Sequence, residues 1–340
     1  MLKKFQNCFP TILILLLVAV VLGACNSESA DSEGDSNSDS SKTELFKLKQ
    51  ITSWFPQIEQ AGQYSAKVEG YYEEAGIDMT IQPGGPGVSG VSIVASGEAD
   101  IGMVQADQLL FAINEGIPLV AIMTNFQVTP QGIMFHKGEP IKTFDDFGKG
   151  GYEIYTGASA GYWQYLLANF DIDPSQNRVY SGDNSTFAAN KKAASQMYVT
   201  SEPFYLKQEG IETEHLLISD SGYEIYGDVL FTTKKFLEEN PDIVQAYVDA
   251  TVKGWETFRG NPENSYNYIM ELDNTKTVEQ MSYAKEEMDE LVFGGDAEEH
   301  GVGYMSEERW QQLIDQLYEL KLIDKKIDAK DVFTSEFLSK

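Results

Sequence analysis

From Leu45 to Leu230 the apolar positions switch repeatedly between two spacings. Runs such as FKLKQITSWF, IDMTIQ, ADIGMVQ and PLVAIMTNFQV carry the alternation or short apolar block of a strand. Between them, AGQYSAKVEGYYEEAG, VSGVSIVASG and ADQLLFAINEG carry helical spacing, all three closing on a glycine. The pattern resumes past Gly132: GIMFHKG extended, TFDDFGKG a short helix or turn, YEIYT a strand, YWQYLLANF a helix, NRVYSG a strand. TFAANKKAASQ follows as a helix, MYVT as a strand, SEPFYLKQEG as a helix, then HLLIS and GDVLFTT as strands. From Lys234 onward only helices are predicted. Strands alternating with helices of this length predict an α/β protein with parallel, doubly wound sheets. Two such series, each followed by its own strand ends, predict two sheets. Ligands of open α/β sheets lie beyond the carboxyl ends of the strands.

The amino-terminal segment follows another rule. Lys3 and Lys4 precede an apolar run, Thr11–Leu22, shorter than the roughly 20 residues of a membrane span. It reads as a secretory leader over residues 1–24 that ends in LGAC. That ending resembles the bacterial lipobox, which implies lipidation of Cys25 and a membrane anchor. Residues 25–44 are rich in Ser, Asp, Glu and Gly and predict a disordered tether.

Cys8 and Cys25 are the two cysteines of the sequence, so the body beyond the tether has none. This removes disulfides, thiolate metal sites and cysteine catalysis. The formal net charge is −28, which repels nucleic acid and anionic lipid. The three histidines, His136, His215 and His300, are far apart in sequence. No metal site and no cofactor motif is predicted. GASAG (157–161) matches the G-x-S-x-G elbow of serine hydrolases. The chain lacks an HGGG-type oxyanion loop, so a secreted esterase using Ser159 stands as the alternative of a different class. The favoured reading of Gly157 and Ser159 is a helix start whose N–H groups face a ligand. PGGPGVSG (83–90), with Gly84 and Gly85, is the same device near the first strands; it lacks the lysine of a nucleotide loop.

Aromatic residues gather near predicted strand ends: Trp54, Tyr64, Tyr155, Tyr162, Trp163 and Tyr223. They could stack on a planar ligand or fill the core. Gln57, Gln105 and Gln127 fall at or past strand ends in the first series, and Glu202 follows MYVT in the second. These polar groups could orient a ligand.

The stretches Trp54-Phe55-Pro56-Gln57, AGQYSAKVEGYYEEAGIDMTIQPGG, VASGEADIGMV and EGIPLVAI resemble solute-binding proteins of ABC importers. They are similar in particular to the thiamine-precursor-binding family, which shares its fold with fungal thiamine-pyrimidine synthases. The resemblance covers about residues 48–260. It implies a two-lobed, type II periplasmic-binding-protein fold, with residues 45–130 and 229–340 in one lobe and 131–228 in the other. Crossovers near Gln127–Gly132 and Tyr226–Val229 would act as hinges. It also implies an extracytoplasmic, monomeric, non-enzymatic subunit that serves a permease and its ATPase. Its ligand would be a planar nitrogen heterocycle, a thiamine pyrimidine precursor first, then riboflavin, then an aliphatic sulfonate. Pyrimidine-binding members of the family are similar in using an acid near the position of Glu202. The cysteine-rich iron motif of the fungal synthases is absent, so their chemistry is not expected.

Overall fold

The computed structural model describes residues 44–157 and 160–338. The leader, Cys25, the tether up to residue 43, and Ala158 and Ser159 lie outside them. Among the described residues no helix is long and apolar enough to cross a membrane.

Within the described residues ten strands form two five-stranded sheets. One sheet contains β1 (Phe46–Ile51), β2 (Ile77–Gln82), β3 (Ile101–Val104), β4 (Leu119–Phe126) and β10 (Gly227–Thr233), in the order β2-β1-β3-β10-β4. The other contains β5 (Gln131–His136), β6 (Glu153–Thr156), β7 (Asn177–Val179), β8 (Ala193–Tyr198) and β9 (Thr213–Leu217), in the order β7-β6-β8-β5-β9. The α/β class follows the hydrophobic pattern. The sheets, however, are mixed rather than parallel. β10 runs antiparallel to β3 and β4, and β5 antiparallel to β8 and β9. Each is the first strand after the chain has passed from one sheet to the other.

One local expectation fails. Ala193–Gln196 belongs to β8, and the helix before it spans only Ser185–Ala189. Ala193 and Ala194 are fully buried between neighbouring strands. Close packing in the sheet overrides the helical propensity of alanine.

The segments that pass between the sheets, residues 127–130 and 218–226, are tied together by the carboxy-terminal region. Arg309, on the helix Glu307–Glu319, donates to the Gln127 carbonyl and side-chain oxygens. Its guanidinium also lies 4.0 Å from the Tyr226 ring centroid, a cation–π contact. Gln127 in turn donates to the Tyr304 carbonyl at 2.8 Å.

The helices Ala61–Val68 and Pro241–Gly260 cross at very short range. A Cβ on Gly254 would lie 2.2 Å from the Gly62 carbonyl oxygen, and one on Gly62 would lie 2.2 Å from Trp255 Nε1. Only glycine fits at either position. The Trp255 indole is fully buried in this crossing and donates to Asn125 Oδ1 at 3.2 Å.

Candidate functional site

The carboxyl ends of β1, β2 and β3 face those of β6, β7 and β8 across a cleft of about 610 Å³. This volume lies in the range of small-molecule sites. From the first sheet, Thr52, Ser53 and Trp54 continue β1; Gly85–Val88 follow β2; Gln105 follows β3. From the second, Gly157 follows β6, Tyr180 follows β7, and Ser201 and Glu202 follow β8.

Of the residues singled out in the sequence, Trp54, Gln57, Gly85, Gln105, Gly157, Tyr162 and Glu202 line this cleft. Trp54 is 41% exposed at the rim and packs edge-on against Phe55. Gln105 Nε2 donates to Tyr198 Oη at 2.9 Å, bridging the two sheets. Glu202 opens a short helix and accepts the Tyr198 N–H at 2.8 Å.

The others lie elsewhere. Tyr64 sits on a helix whose first six residues are all buried, and packs edge-on against Tyr268. Trp163 is buried in the core beside Tyr162. Tyr155 alternates to the opposite face of β6 from Thr156, and its hydroxyl donates to Glu153 at 3.3 Å. Gln127 serves the crossover and its carboxy-terminal clamp. Tyr223 is buried behind the cleft, where its hydroxyl donates to Asp107 Oδ2 at 3.1 Å. Gly84 supports the glycine loop from beneath: a Cβ there would lie 2.2 Å from the Thr52 carbonyl oxygen. The Gly157 N–H, expected to face a ligand, instead donates to Gln196 Oε1 at 2.8 Å. Tyr162 Oη donates to the same oxygen at 2.9 Å. The helix begins only at Gly161, and Ser159 lies outside the described residues. No histidine lines the cleft among the described residues. His136 is buried at 2.8 Å from the Phe187 carbonyl and stacked on the Phe187 ring.

Sequence reasoning missed the acidic floor. Asp107 and Asp228 line the cleft together with Glu202, and Glu59 is buried nearby, accepting from the Thr200 hydroxyl. No lysine, arginine or histidine lines it among the described residues. Asp228, the second residue of β10, has a left-handed φ of 47°, a conformation that Asp tolerates better than most residues. The turn sets its carboxylate at the cleft, where Ser53 Oγ and Gln105 Nε2 both donate to Oδ1, at 3.0 and 3.3 Å. Desolvation, reinforced by the charge on Glu59, raises its pKa to about 7; the Ser53 hydrogen bond opposes this. Glu202 and Glu59 are pushed up chiefly by desolvation, and for Glu202 the Glu59 charge adds to it. Asp107 is pushed up by burial against the hydrogen bonds from Tyr223 and the N–H groups of Gln108 and Gly161. The only sequence signal for Asp228 was a charged residue opening the otherwise apolar run GDVLF.

Comparison with known proteins gives the family and the fold. The family model described as NMT1/THI5 like matches residues 57–265, bearing out the family resemblance of the sequence motifs. The riboflavin-binding protein RibY of Chloroflexus aurantiacus is 20% identical, over 96% of this chain and 96% of its own. The formylaminopyrimidine-binding protein of Halalkalibacterium halodurans is 21% identical, over 95% of this chain and 98% of its own. Among solved structures, the periplasmic aliphatic sulphonate binding protein SsuA of Escherichia coli superposes with a TM-score of 0.62. It is 17% identical, covering 86% of this chain and 94% of its own. The periplasmic nitrate-binding protein NrtA of Synechocystis PCC 6803 gives 0.61 at 14% identity, covering 86% and 87%. At such identities the structural likeness speaks for the fold. The chain belongs to the NMT1/THI5-like family, as a substrate-binding member built on the periplasmic-binding-protein fold.

Proposed function

We propose that the protein is the extracytoplasmic substrate-binding subunit of an ABC importer, and that its cleft receives an amino-substituted pyrimidine. The observation that carries the ligand class is the cleft floor, where Asp107, Glu202 and Asp228 present acceptors and no described lining residue is a cation. An oxyanion such as a sulfonate would find no cation among the described lining residues. An aminopyrimidine offers a donor amino group to these acceptors and a flat face to Trp54. Riboflavin is the second reading, supported by the likeness to RibY. Its pyrimidine-dione edge places two carbonyls beside a single N–H, and so faces acceptors with acceptors. The ligand is held and released without reaction. A Ser159 esterase would need a histidine base, and no histidine lines the cleft among the described residues. Two lobes, residues 45–130 with 229–340 and residues 131–228, would close on the ligand about the crossovers, with Cys25 lipidated to hold the protein at the membrane.

A thermal-shift panel of aminopyrimidines, riboflavin and taurine tests the reading. A ligand at 100 times its Kd adds about 2.7 kcal/mol to stability. The expected result is a shift with an aminopyrimidine; a shift with taurine alone would overturn the acceptor argument. Trp54→Ala is expected to weaken that binding roughly tenfold, or about 1.4 kcal/mol. The melting temperature without ligand should stay unchanged, because the ring is 41% exposed. Unaltered affinity would remove the ring from the contact surface.

A further inference from the structure

Asp228 carries more than an acceptor role. Its residue surface is 2% exposed, yet it lines the cleft. Both hydrogen bonds it receives, from Ser53 and Gln105, fall on Oδ1. Oδ2 has no hydrogen-bond partner among the described residues. Among the described residues no lysine or arginine pairs with it. Around it stand Glu59 from the 3-10 turn Ile58–Gln60, Glu202 and the Tyr198 phenol from the end of β8, and Asp107 from the helix Ala106–Asn114. Lys276 acts on Glu59 and Glu202. A non-glycine residue held at φ 47° at the start of a central strand is the kind of strained position that persists at binding sites.

We propose that Asp228 is the residue that selects the ligand by its basicity, binding an amidine-type group, a ring nitrogen conjugated to an amino group, with one proton held between that nitrogen and Asp228 Oδ2. This deepens the aminopyrimidine reading and rests on it for the natural ligand. The complex contains an N–H···O contact between a protonated nitrogen and an ionised carboxylate, a charge-assisted bond. The free site keeps Asp228 protonated below about pH 7, because burial and Glu59 disfavour its charge. Below that pH the carboxyl itself supplies the proton to a neutral aminopyrimidine. Above it both partners arrive without a proton, and one must be taken from solvent. Affinity for a neutral weak base therefore falls as pH rises beyond about 7. A permanently protonated amidinium behaves in the opposite way. It binds the ionised carboxylate best, and must expel the Asp228 proton at lower pH.

The test is titration calorimetry of the full chain with 4-amino-2-methylpyrimidine, in buffers of different ionisation enthalpy, from pH 6 to pH 8.5. The expected result is a net proton uptake that rises with pH and reaches about one per ligand at pH 8.5. Affinity should fall up to tenfold per pH unit in the alkaline part. The oxo analogue 2-methylpyrimidin-4-one, which lacks the amidine, should bind at least tenfold more weakly. Asp228→Asn tolerates the same backbone turn and leaves a side-chain oxygen for Ser53 and Gln105; it should abolish the alkaline slope. Binding of the aminopyrimidine without proton uptake at pH 8.5 overturns the proposal in the wild-type protein alone, whatever the variant does. If no pyrimidine binds, the ligand reading of the cleft fails separately, and benzamidine decides for Asp228. Tighter benzamidine binding at pH 8 than at pH 6, lost in Asp228→Asn, supports an amidine-reading carboxylate. Absent or pH-independent benzamidine binding refutes it.

Discussion

Replacing Trp255 with alanine is expected to lower the unfolding free energy by about 4 kcal/mol, the usual cost of removing a large aromatic ring from a close-packed core. The indole fills the crossing between Pro241–Gly260 and Ala61–Val68, seated against the bare backbone of Gly62. That backbone has no room to move towards the longer helix, because a Cβ on Gly254 would already lie 2.2 Å from the Gly62 carbonyl oxygen. The void would therefore stay open. The indole N–H also donates to Asn125, whose side-chain oxygen receives Gln63 at 2.8 Å and whose amide donates to the Glu59 carbonyl at 3.1 Å. Loosening Asn125 would reach Glu59 and, through Thr200, the second sheet. Urea unfolding should show a lower midpoint at unchanged slope. A loss below about 1 kcal/mol would mean that the helices close the gap and that the glycine crossing is not tight.

The second large effect concerns acidity. Without ligand, the protein should be more stable at pH 5 than at pH 8.5. Asp228 has its pKa raised from 3.8 to about 7 on folding. The folded chain then holds the proton more tightly than the unfolded chain. This contribution is complete below the unfolded value and is lost as pH rises through about 7. The whole span from 3.8 to about 7, three units at about 1.4 kcal/mol each, gives about 4 kcal/mol from this one residue, of which the roughly two units between pH 5 and pH 8.5 give about 3 kcal/mol. Glu59, Glu202 and Asp107 are shifted in the same direction. Asp146, Asp173 and Asp183, held low by hydrogen bonds at the surface, act oppositely, but only as pH falls through their own folded values. Acidification also relieves the repulsion within a chain of net charge −28. Asp228→Asn separates the two contributions, since the pH slope left in the variant excludes Asp228. Equal slopes in both proteins would remove Asp228 as its source.

The elements were largely readable from the sequence, because the two hydrophobic spacings alternate cleanly along it. Trp54, Gln105 and Glu202 were found for the same reason: each lies where a strand signal stops. Strand direction was not readable, since an apolar run looks the same from either end, and so the antiparallel β5 and β10 were missed. Aromatic residues misled where the first turns of a neighbouring helix are buried. Tyr64 and Trp163 sit near strand ends, but spacing does not say which face of such a helix meets the cleft. Asp228 was hidden by its position. An acid after a glycine reads as a turn, and only the pairing of β10 between β3 and β4 carries it to the cleft.

The order of strands also sets the order in which the molecule can be completed. Residues 131–217 hold all five strands of one sheet in an unbroken stretch. The other sheet begins first, at Phe46, yet lacks its fourth strand in spatial order until Gly227–Thr233 has been made. Its early strands cannot close a core on their own, and their pairing spans a long separation along the chain, the kind of contact that slows folding. A growing or threading chain therefore finishes its inserted half before the half that begins it, and the earliest strands wait, unpaired across that gap, for the last one.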